Sequence, residues 1–131
     1  MRKLFLDTSA YSSFKKGAAE AVEAIREADE IGLNAIIIGE LLSGFDGGRF
    51  AAANRRELKE FLSSPVVLFQ PMTEETAERY AVIYHHLKER GTPIPTNDLW
   101  IAATAMETGT VLLTADRHFL KVPQIQTLMI V

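Results

Sequence analysis

Four acidic side chains stand where charge is least expected. Asp7 ends the apolar run Leu4-Phe5-Leu6, and Glu40 interrupts "AIIIGELL". Asp98 opens the apolar stretch "DLWIAATAM", and Asp116 follows "VLLTA". A carboxylate in apolar surroundings is costly to desolvate unless something pairs with it. Each acid also has an ordinary structural use. Asp7 suits an Asx-turn that accepts backbone N–H bonds from Thr8 to Ala10, and Asp98 suits the first turn of a helix, favoured by its dipole. Asp116 suits a cap on the Arg117 turn, and Glu40 a place on the wet stripe of its helix. Together they point to other chemistry. Carboxylates within ~5 Å of one another repel and raise each other's pKa, and a divalent cation reverses that sign. Hard cations such as Mg²⁺ and Mn²⁺ take oxygen ligands, with water and substrate phosphate completing the shell. Metal-assisted phosphodiester hydrolysis follows from such a cluster.

The elements around the acids must bring them together. Lys3 to Asp7 reads as a strand and Ser9 to Lys16 as a short helix ending at Gly17. Ala18 to Asp29 is helical, with Val22, Ile25 and Ala28 on one face. Ile31 to Asn34 is a strand, and Ala35 to Ser43 a helix stopped by Gly44. A charged amphipathic helix begins near Arg49 and runs to Leu62, and Val66 to Phe69 is a strand. Thr73 caps a helix that carries Glu74 and Glu75 in its first turn and ends at Gly91. A rigid "TPIPTND" loop then delivers a helix from Asp98 to Thr108. Val111 to Thr114 is a strand, Arg117 to Lys121 a helical turn, and Thr127 to Val131 a last strand. Alternating strands and helices predict an α/β fold: a mostly parallel sheet of about five strands between two helical layers. Ligands of such folds gather at the carboxyl ends of the strands, where Asp7 and Asp116 fall.

Composition narrows the class. The 131 residues fit a single domain over positions 1–131, and there is no cysteine for a disulfide or thiolate metal site. No apolar run is long enough to cross a bilayer and no signal peptide is legible, so a soluble, cytoplasmic protein is expected. Fourteen Lys and Arg against 17 Asp and Glu give a net charge of −3, which argues against a module that grips nucleic acid by its phosphates alone. It does not argue against a nuclease whose acidic centre attracts phosphate once loaded with cations.

Rival sites fare worse. No GxxxxGK[ST], GxGxxG or GxSxG occurs. His85, His86 and His118 do not form HExxH, and His85 and His86 read as surface or interface residues. A phosphoaspartate enzyme of the haloacid dehalogenase type needs a second Asp that Asp7-Thr8-Ser9-Ala10-Tyr11 lacks, and a receiver domain needs an acidic pair that Phe5-Leu6-Asp7 lacks. Trp100 reads as core, and the solvated face carrying Arg55, Arg56 and Lys59 as ordinary surface.

"LFLDTSAY", "IIIGELLSG", "NDLWIAATA" and "VLLTADRHF", in this order, resemble the PIN-domain family, and most closely its VapC-type toxins. The likeness spans essentially the whole chain. It implies a Mg²⁺- or Mn²⁺-dependent endoribonuclease with the PIN-like three-layer fold. The family's acidic quartet carries over onto Asp7, Glu40, Asp98 and Asp116, with Asp7 and Asp98 as primary metal ligands. Thr114 would orient nearby carboxylates, and Thr8, Ser9 and Asn97 are supporting groups. A small VapB-like antitoxin and a homodimer are the implied partners, with RNA as substrate and Arg49, Arg55, Arg56, Lys15, Lys16 and Arg117 as candidate backbone contacts. Apolar faces at Ser9–Phe14 and Phe45–Phe61 are candidate docking surfaces. Where many relatives carry Ser or Thr ahead of the acidic helix this chain has Asn34, which puts that helix's capping in question. The alternatives are a catalytically silent PIN-like binding module, or a PIN nuclease outside any toxin pair.

Overall fold

A computed structural model describes residues 2–131. Five strands form one sheet: β1 (Lys3–Leu6), β2 (Glu30–Leu33), β3 (Val67–Phe69), β4 (Val111–Thr114) and β5 (Gln126–Met129). The order across the sheet is β3-β2-β1-β4-β5, and every neighbouring pair is parallel. Six helices connect them: α1 (Thr8–Lys15), α2 (Ala19–Glu27), α3 (Ala35–Phe45), α4 (Ala51–Leu62), α5 (Glu74–Arg90) and α6 (Thr96–Thr108). A 3₁₀ turn, Arg117–Lys121, links β4 to β5.

Consecutive residues of the central strands are buried: Leu4, Phe5 and Leu6 in β1, and Leu112, Leu113 and Thr114 in β4. A strand buried on every residue has both its faces covered, and this is what marks a parallel sheet between helical layers. The chain steps outward from β1 to β2 and β3, then returns through α5 and α6 to lay β4 against the other side of β1. The order therefore reverses between β1 and β4. A crevice opens at the carboxyl ends of strands flanking such a reversal, because the connections leave in opposite directions.

Local chemistry accounts for most boundaries. Thr73 accepts from Glu75 N and Thr76 returns a bond to the Thr73 backbone, closing a capping box at the start of α5. Gly91 and Gly109 end α5 and α6 at φ of 69° and 65°, a left-handed conformation that favours glycine. Several expected ends and faces shift, among them β5, which spans Gln126–Met129 rather than Thr127–Val131, and three have a clear cause. Helix α3 does not stop at Gly44 but runs to Phe45, whose ring packs against the core and rewards another residue of helix. Helix α6 starts at Thr96 rather than Asp98, because the Pro95 carbonyl already accepts from Leu99 N. Helix α2 buries Ala21, Ala24 and Ile25, with Val22 and Ala28 only half-buried, so its packed face is rotated from the expected one. Among the described residues, no helix is long and apolar enough to cross a membrane.

Candidate active site

Asp7 is the first residue past β1, and its amide donates to the Leu113 carbonyl of β4 at 3.4 Å, so it sits on the strand reversal itself. Its side chain is 4% exposed. One oxygen accepts from Ser9 Oγ at 2.7 Å and from Ala10 N at 2.8 Å, which caps α1. The other accepts from Thr114 Oγ1 at 2.5 Å. Burial holds the Asp7 pKa above the usual carboxylate range and the Asp116 charge adds to this, against the three hydrogen bonds that favour the ionised form. Thr114, wholly buried at the end of β4, also accepts from Asp116 N at 2.9 Å. Ser9 Oγ in turn accepts from Ala115 N at 2.9 Å. A few short side chains thus stitch the two strand ends together.

Glu40 enters from α3. Thr8 Oγ1 donates to it at 2.6 Å and Asn97 Nδ2 at 3.2 Å, one to each oxygen. The helix that carries it is well capped, contrary to the expectation that Asn34 leaves the cap in question. Asn34 is fully buried, and its Oδ1 accepts from Ile37 N at 3.1 Å. Its Nδ2 donates to Thr104 Oγ1 at 2.9 Å, which pins the start of α3 to the middle of α6. Asn does here what Ser or Thr does as a cap, and adds a second bond that a hydroxyl is too short to share out.

Asp98 lies in the first turn of α6 and Asp116 just before the 3₁₀ turn. Burial raises the Asp98 pKa, as do the charges of Asp116 and Glu40, while its hydrogen bond with His118 opposes them. Asp116 accepts from His118 N at 2.9 Å, so it caps its turn as well. The ordinary structural uses of Asp7, Asp98 and Asp116 are therefore all realised, and the same residues still converge. All four acids, with Thr8, Ser9 and Ile101, line one open cleft of ≈ 310 Å³.

That donor set fits a divalent cation. It is rich in carboxylate oxygen, its shape is held by neutral hydroxyls and an amide, and burial makes two of its acids ionise less readily than usual. Sequence reasoning passed over two participants. His118 lies with Nδ1 3.0 Å from Asp98 Oδ2 and 3.2 Å from Asp116 Oδ1. The spacing Asp116-x-His118 was its only signal. The Asn34–Thr104 bond spans 70 positions and left no local trace.

The PIN domain family matches the chain over residues 4–125. The chain belongs to that family. Ribonuclease VapC4 of Mycobacterium tuberculosis is 30% identical over 105 residues, covering 77% of this chain and 78% of the relative. Ribonuclease VapC of Rickettsia bellii is 30% identical over 132 residues, covering 97% and 96%. The solved structure of VapBC2 from Rickettsia felis, bound to a DNA fragment from their promoter, has a chain with a TM-score of 0.85 at 20% identity, covering 98% of this chain and 99% of that one. The expected α/β sandwich, with its five-stranded sheet wholly parallel, is the fold of this PIN domain.

Away from the cleft, the side chains singled out for partners divide. Arg55 forms a two-bond ion pair with Asp46, and Lys15 pairs with Glu57 at 3.1 Å, so both have partners within the chain. The Ser9–Phe14 face is not free as expected. Tyr11 is 2% exposed and packs edge-on against Phe61 at 5.2 Å, with Phe14 5.6 Å from the same ring. What stays open is a groove of ≈ 260 Å³ lined by Tyr11, Ser12, Lys15, Lys16, Phe45, Asn54 and Glu57. Trp100 is half-buried against Tyr80, with ring centres 4.3 Å apart. On α5, His85 is exposed and His86 half-buried.

Proposed function

We propose that this PIN domain is a divalent-metal-dependent endoribonuclease, the toxin of a pair whose second member is a small VapB-like antitoxin. The observation that carries the reading is the convergence of Asp7, Glu40, Asp98 and Asp116 on one cleft at the strand reversal. Relatives named as VapC ribonucleases and the VapBC structure of the same fold support it.

Asp7 and Asp98 would hold the cation, Mg²⁺ or Mn²⁺, with Asp116 beside them. When bound, such an ion lowers the pKa of a water and neutralises charge on the phosphoryl oxygens. Thr114 and Ser9 fix the Asp7 carboxylate so that it need not reorganise when RNA arrives. Glu40, steered by Thr8 and Asn97, takes the proton of the attacking water. The water oxygen bonds to phosphorus, the bond to the 3′ oxygen breaks, and that oxygen takes a proton from solvent as it leaves. The products carry 5′-phosphate and 3′-hydroxyl ends. The antitoxin seats in the groove between α1, α3 and α4, where apolar walls meet Lys15, Lys16 and Glu57. A second copy of the chain completes the assembly as a homodimer.

End-labelled RNA incubated with Mg²⁺ or Mn²⁺ tests the reading. Wild type cuts only with the cation, and Asp98→Asn loses at least a hundredfold in rate while keeping its circular dichroism spectrum. Products ending in 2′,3′-cyclic phosphate sink the water-attack mechanism. Equal cutting by both proteins sinks the site.

A further inference from the structure

Among the described residues, His118 brings an imidazole nitrogen to Asp98 and Asp116 at the edge of the cleft, and neither the acidic quartet nor the mechanism above uses it. Its Nδ1 stands 3.0 Å from Asp98 Oδ2 and 3.2 Å from Asp116 Oδ1, and one ligand atom from each of the three lies within 4.8 Å of the others. The position is built rather than casual. Asp116 accepts from the His118 amide at 2.9 Å, which fixes the backbone of the turn, and Phe119 is buried immediately after it as an anchor. The ring itself is 46% exposed, so the edge bearing Nε2 has water for its own hydrogen bond.

Two carboxylate oxygens face one ring nitrogen. With the ring proton on Nδ1 the histidine donates to a carboxylate; with that proton on Nε2, three lone pairs converge on a single small volume, repulsive until a positive charge sits among them. The spacing suits a metal ion. Neighbouring donors on an octahedral ion with bonds of about 2.1 Å stand about 3.0 Å apart. Asp98 then belongs both to the cleft it lines with Asp7 and Glu40 and to the group it forms with His118.

We infer that His118 is a metal ligand through Nδ1, making Asp98, Asp116 and His118 a mixed nitrogen–oxygen set that selects Mn²⁺ over Mg²⁺. The inference rests on the metal-nuclease reading and names the ion that reading leaves open. Mg²⁺ prefers oxygen ligands and keeps its waters, whereas Mn²⁺, softer and more readily dehydrated, accepts an imidazole at less cost, so a nitrogen in the shell favours Mn²⁺ of the two.

Binding of each metal to the RNA-free protein separates this from the nuclease reading. Pulsed electron paramagnetic resonance of Mn²⁺ bound to the wild type shows coupling to a directly bonded ¹⁴N nucleus, and His118→Ala abolishes it. By calorimetric titration, His118→Ala weakens Mn²⁺ at least tenfold and Mg²⁺ less than threefold. His118→Gln, which keeps a polar group in place, shows the same loss of selectivity. Bound Mn²⁺ without nitrogen coupling in the wild type overturns the inference, and that measurement needs no variant to fold. So does an equal loss for both ions, which is what a merely structural histidine gives. A protein that cuts RNA but lacks the coupling removes His118 alone; one that has the coupling but cuts nothing leaves His118 standing and removes the nuclease.

Discussion

Thr114 shows how much the site depends on a side chain with no charge. It donates to Asp7, accepts from Asp116 N and lies 3.3 Å from Ser9, all without contact with solvent. Thr114→Val keeps the shape and removes every one of these bonds. Leaving the Asp7 oxygen and the Asp116 amide short of partners costs about 1–3 kcal/mol of stability by denaturant titration. Cation affinity falls about tenfold or more, as when the partner that orients a ligand is lost. Thr114→Ser restores both. The four acids were legible because a charge inside an apolar run is a sharp contrast. Thr114 and His118 were harder to find, since Thr is common at a strand end and the contact of His118 with Asp98 joins positions 20 apart through a turn whose projection no spacing rule describes.

At the scale of elements, the deciding bond joins Asn34 to Thr104. It fixes where α3 begins relative to α6, and so how far Glu40 on one helix stands from Asn97 on the other. Asn34→Ala removes the α3 cap and the tie from α3 to Thr104, so a loss of about 1–3 kcal/mol is expected, with cleavage falling further than stability alone explains. Asn34→Ser, which retains the cap but not the reach to Thr104, recovers stability more than rate, and that difference is the check. Element types were readable from their capping residues and burial pattern, as with Thr73 and Gly91 at the ends of α5. The ends that moved did so where long-range packing outweighed a local signal: Phe45 drew α3 past Gly44, and the Pro95 carbonyl opened α6 early.

The whole molecule carries the charge of its own centre. Asp7 and Asp98 have raised pKa values in the fold, so over the range just above 3.8, their ordinary value, the folded chain holds more protons than the unfolded one. Their contribution to stability is therefore full at low pH and is lost as pH rises through the raised values. Denaturation in EDTA should show wild type losing ground to Asp98→Asn as pH climbs from about 4 to 7, while saturating Mn²⁺ reverses the order. A variant that gains nothing over wild type at pH 7 without metal removes the electrostatic account. The strand order has another outcome, in the timing of synthesis. Asp7 leaves the ribosome long before the hydroxyl that completes it, which belongs to Thr114, 107 positions later, and β1 gains one of its two neighbours only when β4 arrives. Contacts so distant in the chain close last. On the nuclease reading, a chain that has made Asp7 but not yet β4 holds an unfinished site, and cutting waits until Thr114 has folded against it.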